Sequence, residues 1–409
     1  MTSTEAWNRT PFRRVWAGSM VSELGTAVST LAMPLIALRM LSADPLEVSI
    51  LTALPAAAFL LCALPFGVFV DNHDHRLIMI AADIGRALVT MAIPIAWALH
   101  LLSLPLLWAV TFVSGCLTVL FTLAYQSIIP SIVPRSGLVH ANARMAIPPS
   151  VSEVLGPSIG GVVVGLIGAP LAVVFNCVTF VGSGALLSSF RVRDRPARPP
   201  RRRLLGEIRA GLEFVFTHRI LRRITLCLGV TNFFVSMRTA LVVVFVSKDL
   251  HASAAITGAT LGAGSIGGVL GAVVGGRLIA RYGDLTTLWK MKSSFGWVVI
   301  LVPLGFHGAG VLVVAAGLFA SSFTAMVFSI AQTSFRQSVC PPELLGRMNA
   351  SIRWVIWGVM PLGAATGGVL ATVADTRTAL VVSAVGMAGS VVFVATREFR
   401  GSSIRQRER

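Results

Sequence analysis

Uninterrupted apolar stretches recur near residues 15–39, 48–70, 77–98, 103–126, 143–166 and 169–190, and again near 219–246, 254–280, 286–305, 309–334, 346–372 and 376–396. Each is long enough for an α-helix to cross a hydrocarbon core of roughly 30 Å. The pattern predicts an all-α integral membrane chain with twelve transmembrane helices. The run lengths exclude a β-barrel, whose strands would alternate over about 10 residues. The first ten residues are polar and the first apolar run exceeds a signal-peptide core, so it reads as a retained helix.

Polar residues inside these runs follow helical spacing. In the first span Ser19, Ser22, Glu23, Thr26, Ser29 and Thr30 make one stripe. In the fourth, Thr111, Ser114, Thr118, Thr122 and Tyr125 do the same, with Gln126 adjacent. The seventh carries Thr231, Asn232, Ser236, Arg238 and Thr239, and the tenth Ser322, Ser329 and Gln332. A lipid-facing hydroxyl gains nothing, so such stripes face either a wet path or another helix. Their recurrence in the first, fourth, seventh and tenth spans favours the path.

The chain also repeats itself. Pro134, Leu138, Asn142-Ala143 and Gly160-Gly161 reappear as Pro341, Leu345, Asn349-Ala350 and Gly367-Gly368, at a constant offset of 207 (142 to 349, 160 to 367). Two pseudo-symmetric six-helix halves, 1–190 and 219–396, follow. Between them residues 191–203, rich in Arg and Pro, cannot stay helical through Pro196, Pro199 and Pro200. Leu204, Leu205, Ile208, Leu212, Val215 and Phe216 then share a face, as in a short helix lying on a membrane surface. Residues 191–218 therefore read as a basic linker with an interfacial helix, and 397–409 as a basic tail.

Composition agrees with lipid as the solvent: 55% of residues are hydrophobic, 12% are charged, and mean hydropathy is +0.80. The net charge of +17 raises nucleic acid as a partner, but the placement of the arginines removes it. Arg9, Arg13, Arg14, Arg76, Arg135, the 191–203 linker, Arg277, Arg281, Lys290, Lys292, Arg336, Arg347 and the tail fall on one predicted membrane face, against Arg39, Lys248 and Arg377 on the other. Positive loops stay cytoplasmic, which predicts a multi-pass protein of the bacterial plasma (inner) membrane with both termini inside. The linker arginines then meet lipid headgroups. Cys62, Cys116, Cys177 and Cys227 fall in spans and Cys340 in a cytoplasmic loop, offering no extracellular disulfide framework. Asn72-His73-Asp74-His75 lacks the further ligands a metal site needs. There is no Gly-x-x-x-x-Gly-Lys-Ser/Thr loop, no nucleophile with its base and no His-Glu-x-x-His pair, so the reading is a protein that is not an enzyme and has no cofactor.

Gly67, Asp71, Asn72 and Arg76 match the Gly-x-x-x-Asp-Arg/Asn-x-x-x-Arg loop between helices 2 and 3 of the major facilitator superfamily. Gly156, Pro157, Gly160 and Gly161 resemble the end of that family's exporter-associated motif, with Ser152 in place of an upstream glycine. Asn8-Arg9 to Trp16, Asp83 to Arg86, and Gly346-Arg347-Met348-Asn349-Ala350 resemble its bacterial branch of enterobactin exporters and macrolide-efflux proteins. In that branch the helix 1 position held here by Thr26 is often acidic. The resemblance spans nearly the whole chain. It implies the major facilitator fold, which can operate as a monomer, and a small-molecule substrate.

Physics assigns these residues expected roles. Gly67 would let two helices approach closely, while Asp71 would latch onto the positive N-terminus of a neighbouring helix, with Arg76 tying the same loop. Pro157 and its flanking glycines would let helix 5 bend and pack tightly; close packing alone is the alternative. Among embedded charges, Asp83 and Arg86 read as a structural pair and Arg353 as gating or structural. Glu23, about 12 Å into its span, and Arg238 are the cavity candidates. Glu153 lies deep in the fifth span, and a buried glutamate can load and release a proton. With Thr26, Thr118, Thr122, Tyr125 and Asn232 these residues make up the expected substrate and proton pathway. The function expected is export of a small amphipathic molecule, a drug, antibiotic or siderophore-like compound, by proton antiport with alternating access. An importer or symporter, a lipid-moving transporter and a substrate-free membrane sensor are the alternatives.

Overall fold

The computed structural model describes residues 10–133, 137, 141, 144–145, 147–190, 212–340 and 342–400. The first set of helices is α1 (Thr10–Met40), α2 (Pro45–Asp71), α3 (His75–Ala98), α4 (Leu104–Ser127), α5 (Ile147–Ile167) and α6 (Ala169–Ser188). The second is α7 (Arg219–Val244), α8 (Ala254–Tyr282), α9 (Asp284–Lys290), α10 (Gly310–Val339), α11 (Pro342–Val373) and α12 (Thr376–Gly389). A π-helical turn, Phe245–Asp249, continues α7. Ten helices among the described residues are long and apolar enough to cross a membrane. The fifth span is present as the 21-residue helix α5. The ninth departs from regular geometry: α9 passes into a π turn over Met291–Phe295 and then a 3-10 segment over Gly296–Leu301.

The chain sets where these helices stop. Asp74 caps α3 by accepting from the Leu77 amide at 2.9 Å. Asp375 caps α12 through the Thr378 amide and hydroxyl, and those bonds hold its carboxyl below the usual carboxylate range. Gly168 and Gly283, at φ +83° and +77°, make the tight α5–α6 and α8–α9 corners, where a side chain would be strained. Arg76 donates to the carbonyls of Leu187 and Ser188, both at 2.8 Å, and Arg14 donates to that of Ser189. Two cations thus satisfy the C-terminal carbonyls of α6.

The helices form two compact units, residues 1–43, 54–200 and 253–258, and residues 44–53, 201–252 and 259–409. In the first, α1 packs on α5 and α6, and α3 on α4 and α6. In the second, α7 packs on α11 and α12, repeating the arrangement one half later. Each unit has its own core, with Phe12, Met79, Phe121 and Leu187 in the first and Ile224, Leu288, Phe328 and Phe399 in the second. The outward positions are apolar as well: Leu88 is 71% exposed, Leu166 80% and Val373 81%. In water such side chains would drive aggregation; in lipid they are the expected surface.

The 191–211 linker, and with it most of the expected interfacial helix, lies outside the described residues. At its end Val215 is fully buried against Leu221, Met348 and Ile352, so this position packs on protein rather than on lipid.

Candidate functional site

The polar stripe of α1 divides into two classes. Ser19, Ser22 and Ser29 are buried within the first unit. Ser22 accepts from Arg86 at 3.2 Å, and Ser29 accepts from Asn176 at 2.7 Å. These hydroxyls join helices. Thr26 and Thr30 bond back to the carbonyls of Ser22 and Thr26 at 2.9 and 3.0 Å and stay further exposed. Thr118 and Thr122 likewise bond back to Ser114 and Thr118, both at 2.8 Å, and the Asn232 amide to Leu228 at 2.9 Å. Their polar groups are satisfied within their own helices, which lets such a face meet either lipid or a wet path at little cost.

Arg86 is the centre of the first unit's charge. Its guanidinium, 2% exposed, pairs with Asp83 one turn earlier and sits between the Phe121 and Phe180 rings, 4.4 Å from each centroid. Ser183 and Ser22 flank the Asp83 carboxylate. Glu23, half-buried on α1, lies in the field of both Arg86 and Tyr125, yet among the described residues it makes no hydrogen bond or ion pair. Tyr125 is buried and donates to the Met145 carbonyl at 3.3 Å. One arginine therefore faces two acids, and its hydrogen bonds go to Asp83 and Ser22 rather than to Glu23.

The second unit repeats this cluster without the acid. Lys292, 7% exposed, donates to Thr231 at 2.7 Å and to Ser390 at 3.1 Å and lies 5.2 Å from the Phe328 ring centroid. Phe328 and Ser390 stand 207 residues after Phe121 and Ser183, Thr231 is 209 after Ser22, and Lys292 is 206 after Arg86. Counting lysines as loop charges placed Lys292 at a membrane face; the structure corrects this to a buried position in the π turn after α9. The signal was in the sequence, since the 207-residue offset carries Arg86 to within one residue of it. Arg238, half-buried on α7, donates Nη1 to Ser321 at 2.6 Å and meets no carboxylate among the described residues.

The glycine motif of α5 faces two partners. A Cβ at Gly156 would collide with Ala27 of α1, and one at Gly160 would stand 3.3 Å from Val28 Cα. At Gly161 it would lie 2.8 Å from Gly258 Cα, near the start of α8. The repeat reproduces this and adds a third glycine: Gly363 abuts Phe233 of α7, Gly367 abuts Met237, and Gly368 abuts Ser49 and Leu46 of α2. Close helix approach is thus met at both copies. Among the described residues, a Cβ at Gly67 would meet nothing within 4 Å. Asp71 is exposed at the last residue of α2. Arg76 is engaged by the carbonyls of α6. The side chains of Glu153 and Arg353 lie outside the described residues.

Two repeated sets of six membrane helices, each burying a cation among hydroxyls and an aromatic ring, have the architecture of a major facilitator transporter. A family model described as transmembrane secretion effector matches residues 2–405, and the chain belongs to this major facilitator family. It is 23% identical over 367 residues to the uncharacterized MFS-type transporter YfiS of Bacillus subtilis (strain 168), covering 87% of this chain and 85% of that one. It is 22% identical over 364 residues to macrolide efflux protein A of Streptococcus pyogenes, covering 86% and 87%. A mutant of the nucleoside transporter NupG superposes with a TM-score of 0.78 at 11% identity, over 94% of this chain and all of that one, and so shares its fold.

Proposed function

We propose that the protein exports a small amphipathic molecule from the cytoplasm across the plasma membrane by alternating access, with protons moving inward as the driving force. The observation that carries the reading is Glu23: a half-buried carboxyl on α1, in the electrostatic reach of Arg86 and Tyr125, with no hydrogen bond or ion pair among the described residues to hold it in one protonation state. Export is favoured over uptake by Gly156-Pro157-x-x-Gly160-Gly161, whose close packing on α1 and α8 fits an exporter's helix 5, and by the similarity to a macrolide efflux protein. Thr26, Thr118, Thr122 and Asn232 line the path in this reading. Asp71, Arg76 and Arg353 belong to the gate that closes it.

The test is a deletion strain screened for compound sensitivity, followed by reconstitution of the purified chain in liposomes with an imposed pH gradient. Uphill movement into the acidic compartment is expected. Movement that ignores the gradient would remove proton coupling, and accumulation in the opposite sense would make the protein an importer.

Orientation is tested separately, in a cysteine-free background. Ser42 and Ser103 are exposed in the α1–α2 and α3–α4 connections. Cysteines placed there should react with an impermeant maleimide in intact cells, whereas one at Ala197 should react only after permeabilisation. The opposite pattern would invert the topology.

Asp71→Asn is expected to lose most transport at normal membrane abundance, because an exposed amide keeps the fold but removes the charge a latch needs. Unchanged flux would strike Asp71 from the gate.

A further inference from the structure

We infer that the transported molecule carries an anionic group of the carboxylate, phosphate or sulfate kind, and that the guanidinium of Arg238 receives it. This rests on the reading that α7 lines the transport path.

Thr231 and Arg238 are seven residues apart on α7, two turns or about 10.5 Å along one face. The opposing residues of α10, Phe328 and Ser321, are also seven apart. Lys292 contacts the first rung of this seam, Thr231 and Phe328, and Arg238 bonds Ser321 at the second. Two cations therefore bridge α7 and α10. No acid faces them from the described residues: Cys227 is the titratable group beside Lys292, and Arg238 has none. Acids of this unit such as Asp249, Asp284, Asp375 and Glu398 sit at helix ends or in the connections between helices.

The two cations differ in what they lack. Lys292 spends two of its three N–H donors on hydroxyls and turns the ammonium toward an aromatic face. Arg238 has five N–H donors in a planar fork and uses one of them, on Ser321. An unpaired charge within a membrane protein is costly, and a guanidinium is matched bidentately by a carboxylate or a phosphate. The first unit shows the paired solution, Asp83 on Arg86. In the second unit no acid among the described residues faces Arg238, so the missing partner arrives with the cargo.

The experiment uses the purified full chain in detergent and a library of matched triplets, each one hydrophobic scaffold bearing a carboxylate, its primary amide or the corresponding amine. Thermal stabilisation is read for the native chain and for Arg238→Gln and Arg238→Lys. Anionic members are expected to stabilise the native chain, with affinity at least about tenfold weaker in Arg238→Gln, as for loss of one partner of a desolvated charge pair. Arg238→Lys keeps the charge and should retain part of the effect, which separates lost recognition from a misfolded variant. Phosphate and sulfate esters of the responding scaffolds then resolve the kind of anion.

Stabilisation by amines or amides alone, or by no anion at millimolar concentration, would overturn the inference, as would anion binding indifferent to Arg238→Gln. Amines that bind and are carried across liposomes would leave the transport reading standing while removing this one. Anions that bind through Arg238 but are never carried would make Arg238 an anion site apart from the cargo and overturn this inference, while transport of another compound would leave the transport reading standing.

Discussion

Glu23→Gln is expected to reduce gradient-driven export to background while leaving substrate affinity within about fivefold, near 1 kcal/mol, of the native chain. The amide preserves size and hydrogen-bonding capacity but cannot release a proton, so an effect confined to uphill flux isolates proton coupling from binding. The geometry makes Glu23 the odd acid of the first unit: Arg86 is committed to Asp83, and no described side chain bonds Glu23 in return. The measurement is flux with and without a pH gradient, using the compound found by the sensitivity screen, with binding and membrane abundance in parallel. Full uphill export by Glu23→Gln would move the search to Glu153, and full export by both single variants and their double variant would end the idea of a coupling glutamate.

The spans and their order, apart from the irregular ninth, were legible because apolar run length is a direct physical requirement of crossing a bilayer. The repeat was legible for the same residues that make contacts. Gly160 and Gly161 face α1 and the start of α8, and their copies Gly367 and Gly368 face α7 and the start of α2. Hydroxyl periodicity was less informative. It marked the first span as special but could not separate Ser22 and Ser29, which bond Arg86 and Asn176, from Thr26, which bonds its own helix. The difference is set by which helix lies opposite, and that is not written along one strip of sequence. Lys292 was misplaced because a charge near a predicted span end is ordinarily a loop charge. Here the π turn at Met291–Phe295 lies in the same stretch as a lysine directed at Thr231 and Ser390. π-Helical segments of this kind often mark functional positions.

Arg86→Met is expected to destabilise the protein by about 3–5 kcal/mol, because it leaves the Asp83 carboxylate buried without its cation. The same argument from the other side gives Asp83→Asn a loss of similar size, with lowered abundance in the membrane. The double variant Asp83→Asn/Arg86→Met should recover most of either loss. Removing both charges removes the unpaired one, and the methionine can still fill the space between the Phe121 and Phe180 rings. Reversible unfolding in mixed SDS–detergent micelles would measure all three. Additive losses in the double variant would mean that the two charges are held independently by Ser22 and Ser183 rather than by each other. The second unit supplies an internal control. Among the described residues Lys292 has no carboxylate to strand, so Lys292→Met leaves behind the Thr231 and Ser390 hydroxyls, which keep the 3.0 Å hydrogen bond that Thr231 already donates to Ser390. Its loss should be smaller than that of Arg86→Met, although the two cations occupy equivalent places in the repeat. An equal loss would show that the cation's contacts to hydroxyls and ring carry the stability in both halves, and that Asp83 is present for another purpose.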